Sequence, residues 1–402
     1  MQPRRLAERQ IELDRERTTR FPELLARKRA RMSASPLAFL RGAAPLFYEL
    51  LAAEPDLGQG PEGFGVIQGD AHLENFGAFS PAVHEASGWK KGHACFQLND
   101  FDEATQGAWR WDALRLTTSL ILAGRELGQN GTVVLQLCEQ LLQSHSTYAF
   151  EERALPPMPE PVAELVQRVD GRSHKKLLDD RTEGERDLRH FVRGERYLDL
   201  DANIAREVPA ALALFAERTA NQGGPKPEQL EVLDVAFRVA GTGSLGSLRV
   251  AALTRGKGNG DDGGWLFDLK EQPGSSLDVL APRAAGCSRA AEVEAAFRAC
   301  VEHPPRMLGT SRLAGRDVLV RRLTPQEDKL SLSRLKPAHL SSLAVYLGAL
   351  LGSAHRRGKQ GDFAPWSAHD RGGLLERAVA LAGTHEAVYL ELCRLWRAEA
   401  QR

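Results

Sequence analysis

The sequence predicts an α+β protein of two lobes, with a β-rich lobe inserted between two parts of a mainly helical one. Three observations lead there. The chain has 402 residues, more than one hydrophobic core usually serves. Apolar residues recur at helical spacing through the first half and again near the end. Between them, three runs alternate apolar and polar side chains and are separated by glycine-rich turns. The Gly/Pro-rich joint "NQGGPKPEQ", Asn221 to Gln229, marks the expected change from helix to strand. The expected organisation is therefore a helical segment over 1–63, a helical lobe over 64–229, a β-rich lobe over 230–325, and the rest of the helical lobe over 326–402.

Each element has a local reason. A charged amphipathic stretch runs to about Arg31, and Ser35-Pro36 then supplies an N-cap and first-turn pair for "SASPLAFLRGAAPLFYELLA". Gly58 to Gly63 breaks the helical run. Residues 64–69 and 94–99 read as short strands that feed "GDAHLEN" and "NDFDEA", with a polar excursion from Ser80 to Gly92 between them. Trp111 to Arg125 and Thr132 to Phe150 read as two helices, and helical sequence is expected to continue to about Ala220. "VLDVAFRVA", "LRVAALT" and "WLFDLKEQ" read as strands, the last two separated by "RGKGNGDDGG". Val293, Ala296, Phe297 and Cys300 then form the stripe of a helix over Ser288 to Cys300. "GRDVLVRRL" reads as a further strand, "LSSLAVYLGALLGSAHRRG" as a helix, and a last helix is expected from about Leu374.

Composition narrows the function classes. With 53 basic and 53 acidic residues, the chain lacks the net field of a nucleic-acid or membrane-surface binder. Its five cysteines are scattered and contain no C-x-x-C, which argues against a disulfide framework and a structural zinc site. The charged N-terminal stretch has no apolar segment of signal-peptide type, and the apolar run near Leu343 to Ala354 is too short to span a bilayer. A cytoplasmic protein with no nucleic-acid or membrane partner is expected. The oligomeric state is not legible.

The acidic loops carry the chemistry. Asp70 and Asn75 lie five residues apart in "GDAHLEN", and Asp100 ends the next strand. Kinase-type phosphoryl transfer needs a carboxylate to accept the acceptor's proton, then an amide oxygen and a second carboxylate for Mg²⁺. These three residues supply that set, and Mg²⁺ suits a sparse group of protein oxygens completed by phosphate and water. Two other readings stand beside it: an Asx-rich turn, and a hydrolytic metal site built from Asp70, His72, Asp100 and Asp102.

A second motif, Gly241-x-Gly243-Ser244-x-Gly246, lies between period-two strands rather than opening a helix. That context fits a phosphate-covering flap better than a dinucleotide turn. Lys270, in the strand "WLFDLKEQ", lies on the face shared by Leu266 and Asp268, where it could reach phosphates. Glu292 or Glu294 of the following helix is its expected partner; two residues apart, they cannot share a face. Asp112, early in a helix, reads either as a dipole partner or as a brace for the loop carrying Asp70. His145, His190 and His355 read as surface or satisfied core residues.

In ordinary kinases the flap precedes the catalytic loop, whereas Asp70 here comes about 170 residues before Gly241. Chemistry depends on geometry and not on chain order. The expectation is thus a circularly permuted, protein-kinase-like fold, in which the Leu340 to Gly358 helix is the one that would normally lead into the catalytic loop. ATP would lie between the lobes.

The motifs "SPLAFLRGAA", "GDAHLENFG", "LNDFDEA", "WDALRL", "GTGSLGSLR" and "LKE" together resemble the bacterial family of domain of unknown function 2252. "GDAHLEN" and "DFDEA" also resemble the catalytic and metal-binding motifs of aminoglycoside phosphotransferases and related kinase-like proteins. The resemblance implies Asp70 as the catalytic carboxylate, Asn75 and Asp100 as magnesium ligands, and Lys270 as a phosphate contact. Gln68 stands where many such enzymes have a histidine. The function expected is a phosphotransferase using ATP and Mg²⁺ on an unidentified hydroxyl or amine acceptor. The alternatives are adenylyl transfer to a protein and a nucleotide-binding pseudokinase with a regulatory role.

Overall fold

The computed structural model describes residues 2–81, 93–257, 263–283 and 286–400. Most of the Ser80 to Gly92 excursion and the centre of the "RGKGNGDDGG" turn lie outside the described residues.

Helices Pro3–Thr18, Glu23–Met32, Pro36–Gly42 and Ala44–Ala53 open the chain. The Ser35 side chain accepts from the Ala38 N–H at 3.1 Å, so the expected cap forms. Two small antiparallel sheets follow. Phe64–Ile67 pairs with Thr105–Ala108, and Phe76–Phe79 pairs with Cys95–Leu98 and, on its other side, with Asp328–Lys329. These pairs bring the loop 68–75 and the loop 99–104 to adjacent strand ends. Helices Trp109–Glu126, Gly131–Phe150, Leu340–Arg357 and Ala368–Ala400 enclose them in the largest hydrophobic cluster, which includes Phe47, Trp109, Leu120, Leu141 and Leu347.

The second body is a six-stranded antiparallel sheet in the order Leu308–Leu313, Arg316–Leu323, Trp265–Glu271, Arg249–Thr254, Val232–Arg238, Tyr197–Leu198. Strand alternation sends Phe237, Val250, Phe267, Leu269 and Val320 to one face, where Val208, Leu212 and Phe215 of helix Ala202–Thr219 cover them. The stretch before this helix is not continuously helical. Short strands occur at Thr182–Glu183, His190–Phe191 and Tyr197–Leu198, too brief to show a period in the sequence. Because Tyr197–Leu198 and the following helix belong to the sheet's own cluster, the joint at 221–229 is a turn inside this body.

The two ends of the helical body meet. At the C-terminus of the Leu340–Arg357 helix, the Gly358 carbonyl accepts from Val66 N–H at 2.9 Å, and Gln360 N–H donates to the Phe64 carbonyl at 3.0 Å. The helix thus ends against the strand that leads into the Asp70 loop, although the two lie at opposite ends of the chain. Among the described residues, no helix is long and apolar enough to cross a membrane.

Candidate functional site

The Asp70 turn is fixed from beneath. Gly69 has φ +80°, and a Cβ there would stand 2.2 Å from the Glu103 carbonyl oxygen, so only glycine fits. The fully buried Asp112 carboxylate accepts from the Gln68 and Gly69 N–H groups at 2.7 and 2.8 Å. His355 Nε2 donates to the same carboxylate at 3.1 Å, and His145 contacts the other His355 nitrogen at 2.9 Å. Asp112 therefore braces the turn, and two core histidines brace Asp112. Gln68 Nε2 donates to the Asp100 carbonyl at 2.7 Å, tying the two acidic loops together.

Asp70 presents its carboxylate to the cleft with 18% of its side chain exposed. Its Oδ1 accepts from Arg115 Nε and Nη2 at 2.6 and 2.5 Å, and Arg115 itself is completely buried. Burial pushes the Asp70 carboxyl up to about 7 against the pull of Arg115, with Glu103 and Asp100 adding to the rise. Asn75 Nδ2 donates to the Asp70 carbonyl at 2.9 Å, closing the loop on itself. His72 lies 3.7 Å from Asp70 Oδ2, while its Nδ1 accepts from the Glu74 N–H. Burial holds the His72 imidazole well below its ordinary value, so it is neutral.

Asp100 faces two ammonium groups. Lys270 Nζ lies 3.7 Å from its Oδ1, and Lys329 Nζ lies 3.3 Å from its Oδ2 and 3.4 Å from Asn75 Oδ1. Burial raises the Asp100 carboxyl, but Lys270, Lys329 and Arg249 outweigh it and hold the group far below the usual carboxylate range. Asp100 is therefore ionised. The oxygens of Asn75 and Asp100 already converge on one cationic centre, the Lys329 ammonium, so this hard-oxygen pair fits a small divalent cation. Among the described residues, no three His, Cys, Asp or Glu side chains form a metal-binding group. A metal held by Asn75 and Asp100 would thus complete its shell with ligand oxygens and water.

The sheet supplies the opposite wall. The turn Gly241–Ser244 lines the same crevice as Asp70, His72, Asn75, Asp100, Asp102 and Lys329. At its far end Gly246 has φ +103°, and a Cβ there would stand 2.1 Å from the Arg17 carbonyl oxygen, so the flap rests on the first helix. Glu271 secures the flap's return. It accepts from Leu248 N–H at 2.7 Å and pairs with Arg20 and Arg316 at 2.6 and 3.0 Å.

One expected contact is absent. Lys270 pairs with Asp102 and Asp100, whereas Glu292 pairs with Arg283 and Arg289, both at 3.2 Å. The helix Arg289–Cys300 meets the acidic loop through Arg289, which donates to the Asp102 and Ala104 carbonyls, and this turns Glu292 towards Arg283. Glu294 pairs with Arg298 on the same helix. Arg115 and Lys329 are among the contributors not singled out from the sequence.

No curated protein and no solved structure matches the chain. A family model described as an uncharacterized protein conserved in bacteria (DUF2252) matches residues 20–395, and the chain belongs to that bacterial family.

Proposed function

We propose that the protein is a circularly permuted, kinase-like phosphotransferase that uses Mg-ATP on a hydroxyl or amine acceptor. One observation carries this reading: the pocket lined by Asp70, Asn75 and the Gly241–Ser244 turn and the pocket lined by Lys270 adjoin, sharing Asp100, Asp102, Gly241, Ser244 and Lys329 as walls. The junction of Gly358 and Gln360 with the Phe64–Ile67 strand supports the permutation, since it restores the helix-to-loop neighbourhood that a kinase needs.

In this reading Asp70 accepts the acceptor's proton, a task suited to a carboxyl whose pKa lies near 7. Arg115 and the Asn75 amide hold it in place. The backbone of the flap and the Lys270 ammonium face the phosphates, and Lys270 exchanges its carboxylate partners for phosphate oxygens. Asn75 and Asp100 would hold Mg²⁺, which supplies charge neutralisation at the transferring phosphoryl group. Incubation with γ-labelled ATP and candidate acceptors should give phosphorylated product, identified by mass, and Asp100→Ala should abolish it while the protein stays folded. Full ATP turnover by Asp100→Ala would overturn the metal assignment; a product carrying AMP would redirect the reading to adenylyl transfer. The Arg115–Asp70 ion pair, which occupies one oxygen of the base, favours as a second reading a nucleotide-binding regulatory module, marked by binding without turnover.

A further inference from the structure

The cleft face of the sheet is divided. Ala236, Ala251, Leu253, Leu266 and Leu323 form its apolar half, and Leu177, Leu178, Phe191 and Tyr197 of the chain's own 174–198 segment cover them. The half that remains open is charged. Lys270 pairs across strands with Arg249, and Arg238, next to the Phe237 that pairs with Val250, falls beside Arg249. Asp268 and its cross-strand partner Arg321 make the next row. These groups border a cavity of ≈ 390 Å³ that Arg181 also lines.

Charges there do not balance. Asp268 serves two guanidinium groups, Arg238 at 2.7 Å and Arg249 at 2.6 Å. Arg321 is occupied by Glu327 at 3.1 Å. The Arg181 side chain has no acceptor among the described residues, and its Nη1 is buried, as is the unpartnered Nε of Arg238. Burial, with Arg249 and Arg181 nearby, lowers the Arg238 pKa against the pull of Asp268. Two half-buried guanidinium groups that repel each other and keep buried, unused N–H donors are a configuration that an oxyanion completes.

We propose that the end of the cleft bounded by Arg181, Arg238 and Arg249 is a binding subsite for a phosphate group, separate from the Asn75–Asp100 pair. The phosphate belongs either to the nucleotide's own chain or to a phosphorylated acceptor. The subsite rests on the sheet's charge pattern and stands whether or not the nucleotide reading holds.

The test is titration calorimetry of wild type and Arg181→Gln with inorganic phosphate, inorganic tripolyphosphate and Mg-ATP, with thermal melts of the ligand-free proteins. Because Arg181 makes no side-chain bond among the described residues, Arg181→Gln should melt at the wild-type temperature or above it. Its affinity for tripolyphosphate should fall at least tenfold. An equal loss for Mg-ATP assigns the subsite to the nucleotide chain. A loss for the inorganic anions with Mg-ATP unchanged assigns it to the acceptor. Tripolyphosphate binding without Mg-ATP binding to wild type would sink the phosphotransferase reading and keep the subsite. Absent phosphate and tripolyphosphate binding, or equal affinities in the two proteins, would overturn the subsite.

Discussion

Replacing Asp112 by alanine should damage the protein out of proportion to the size of the change. The side chain is fully buried and accepts three hydrogen bonds, from Gln68 N–H, Gly69 N–H and His355. Alanine would leave two backbone donors buried without partners, each at a cost of about 1–3 kcal/mol. The two backbone donors alone therefore cost roughly 2–6 kcal/mol. For a chain of 402 residues unfolding cooperatively, an entropy of about 2 cal/mol/K per residue converts that to a fall in Tm of roughly 2–7 °C. Asp112→Asn keeps one acceptor oxygen but points an NH₂ group at a backbone N–H, so its loss should lie between those of wild type and alanine. Scanning calorimetry at pH 7 measures both. A fall below about 1 °C for Asp112→Ala would refute the claim that this carboxylate holds the Asp70 turn.

Further outcomes follow from the electrostatics of the cleft. Asp70→Asn should abolish turnover, and the wild-type rate should rise with pH through about 7 as the carboxyl deprotonates; a rate flat from pH 5 to 8 would remove Asp70 as the base. The same raised pKa makes Asp70's contribution to stability full below the ordinary carboxylate value and lost as pH rises through about 7. Melts of wild type and Asp70→Asn should therefore show wild type losing ground to the variant between about pH 4 and 7, and no further above it. Asp268 behaves oppositely: burial raises its carboxyl, but Arg238 and Arg249 hold it low. Its stabilisation is present above the ordinary aspartate pKa of about 3.9 and lost as pH falls below it. Asp268→Asn should melt lower than wild type at pH 7, with a gap that narrows towards pH 3; a constant gap would refute the pairing.

Much of the site was legible because its signals are local. Asp70, Asn75 and Asp100 sit at strand ends, Gly241 to Gly246 interrupts two alternating strands, and the face of Lys270 follows from counting by twos. The structure brings Asp70, Asn75, Asp100, the Gly241–Ser244 turn and Lys270 to two adjoining pockets, while Gly246 packs against the first helix. What escaped depends on long-range partners. Arg115 looks like an interruption of an apolar helix until Asp70 is found opposite it, although its spacing of three from Asp112 was a signal that both face the same loop. Lys329 lies in a two-residue strand and meets Asn75 and Asp100 only through the pairing of Asp328 and Lys329 with Ala78 and Gly77. The expected pairing of Lys270 with Glu292 or Glu294 is not found because helix spacing gives the face of a side chain but not its neighbour, and arginines claim both glutamates. The early end of the sheet was missed for the same lack of length, since the strand Tyr197–Leu198 offers no period to read.

The most direct test of the central claim is a thermal melt of wild type and Asp100→Ala with and without Mg-ATP. At a hundred times its dissociation constant a ligand adds about 2.7 kcal/mol to the stability of the folded state. Wild type should shift upward by a few degrees with Mg-ATP, less with ATP plus chelator, and Asp100→Ala should lose the magnesium-dependent part. An unshifted wild-type melt at millimolar Mg-ATP would contradict the account.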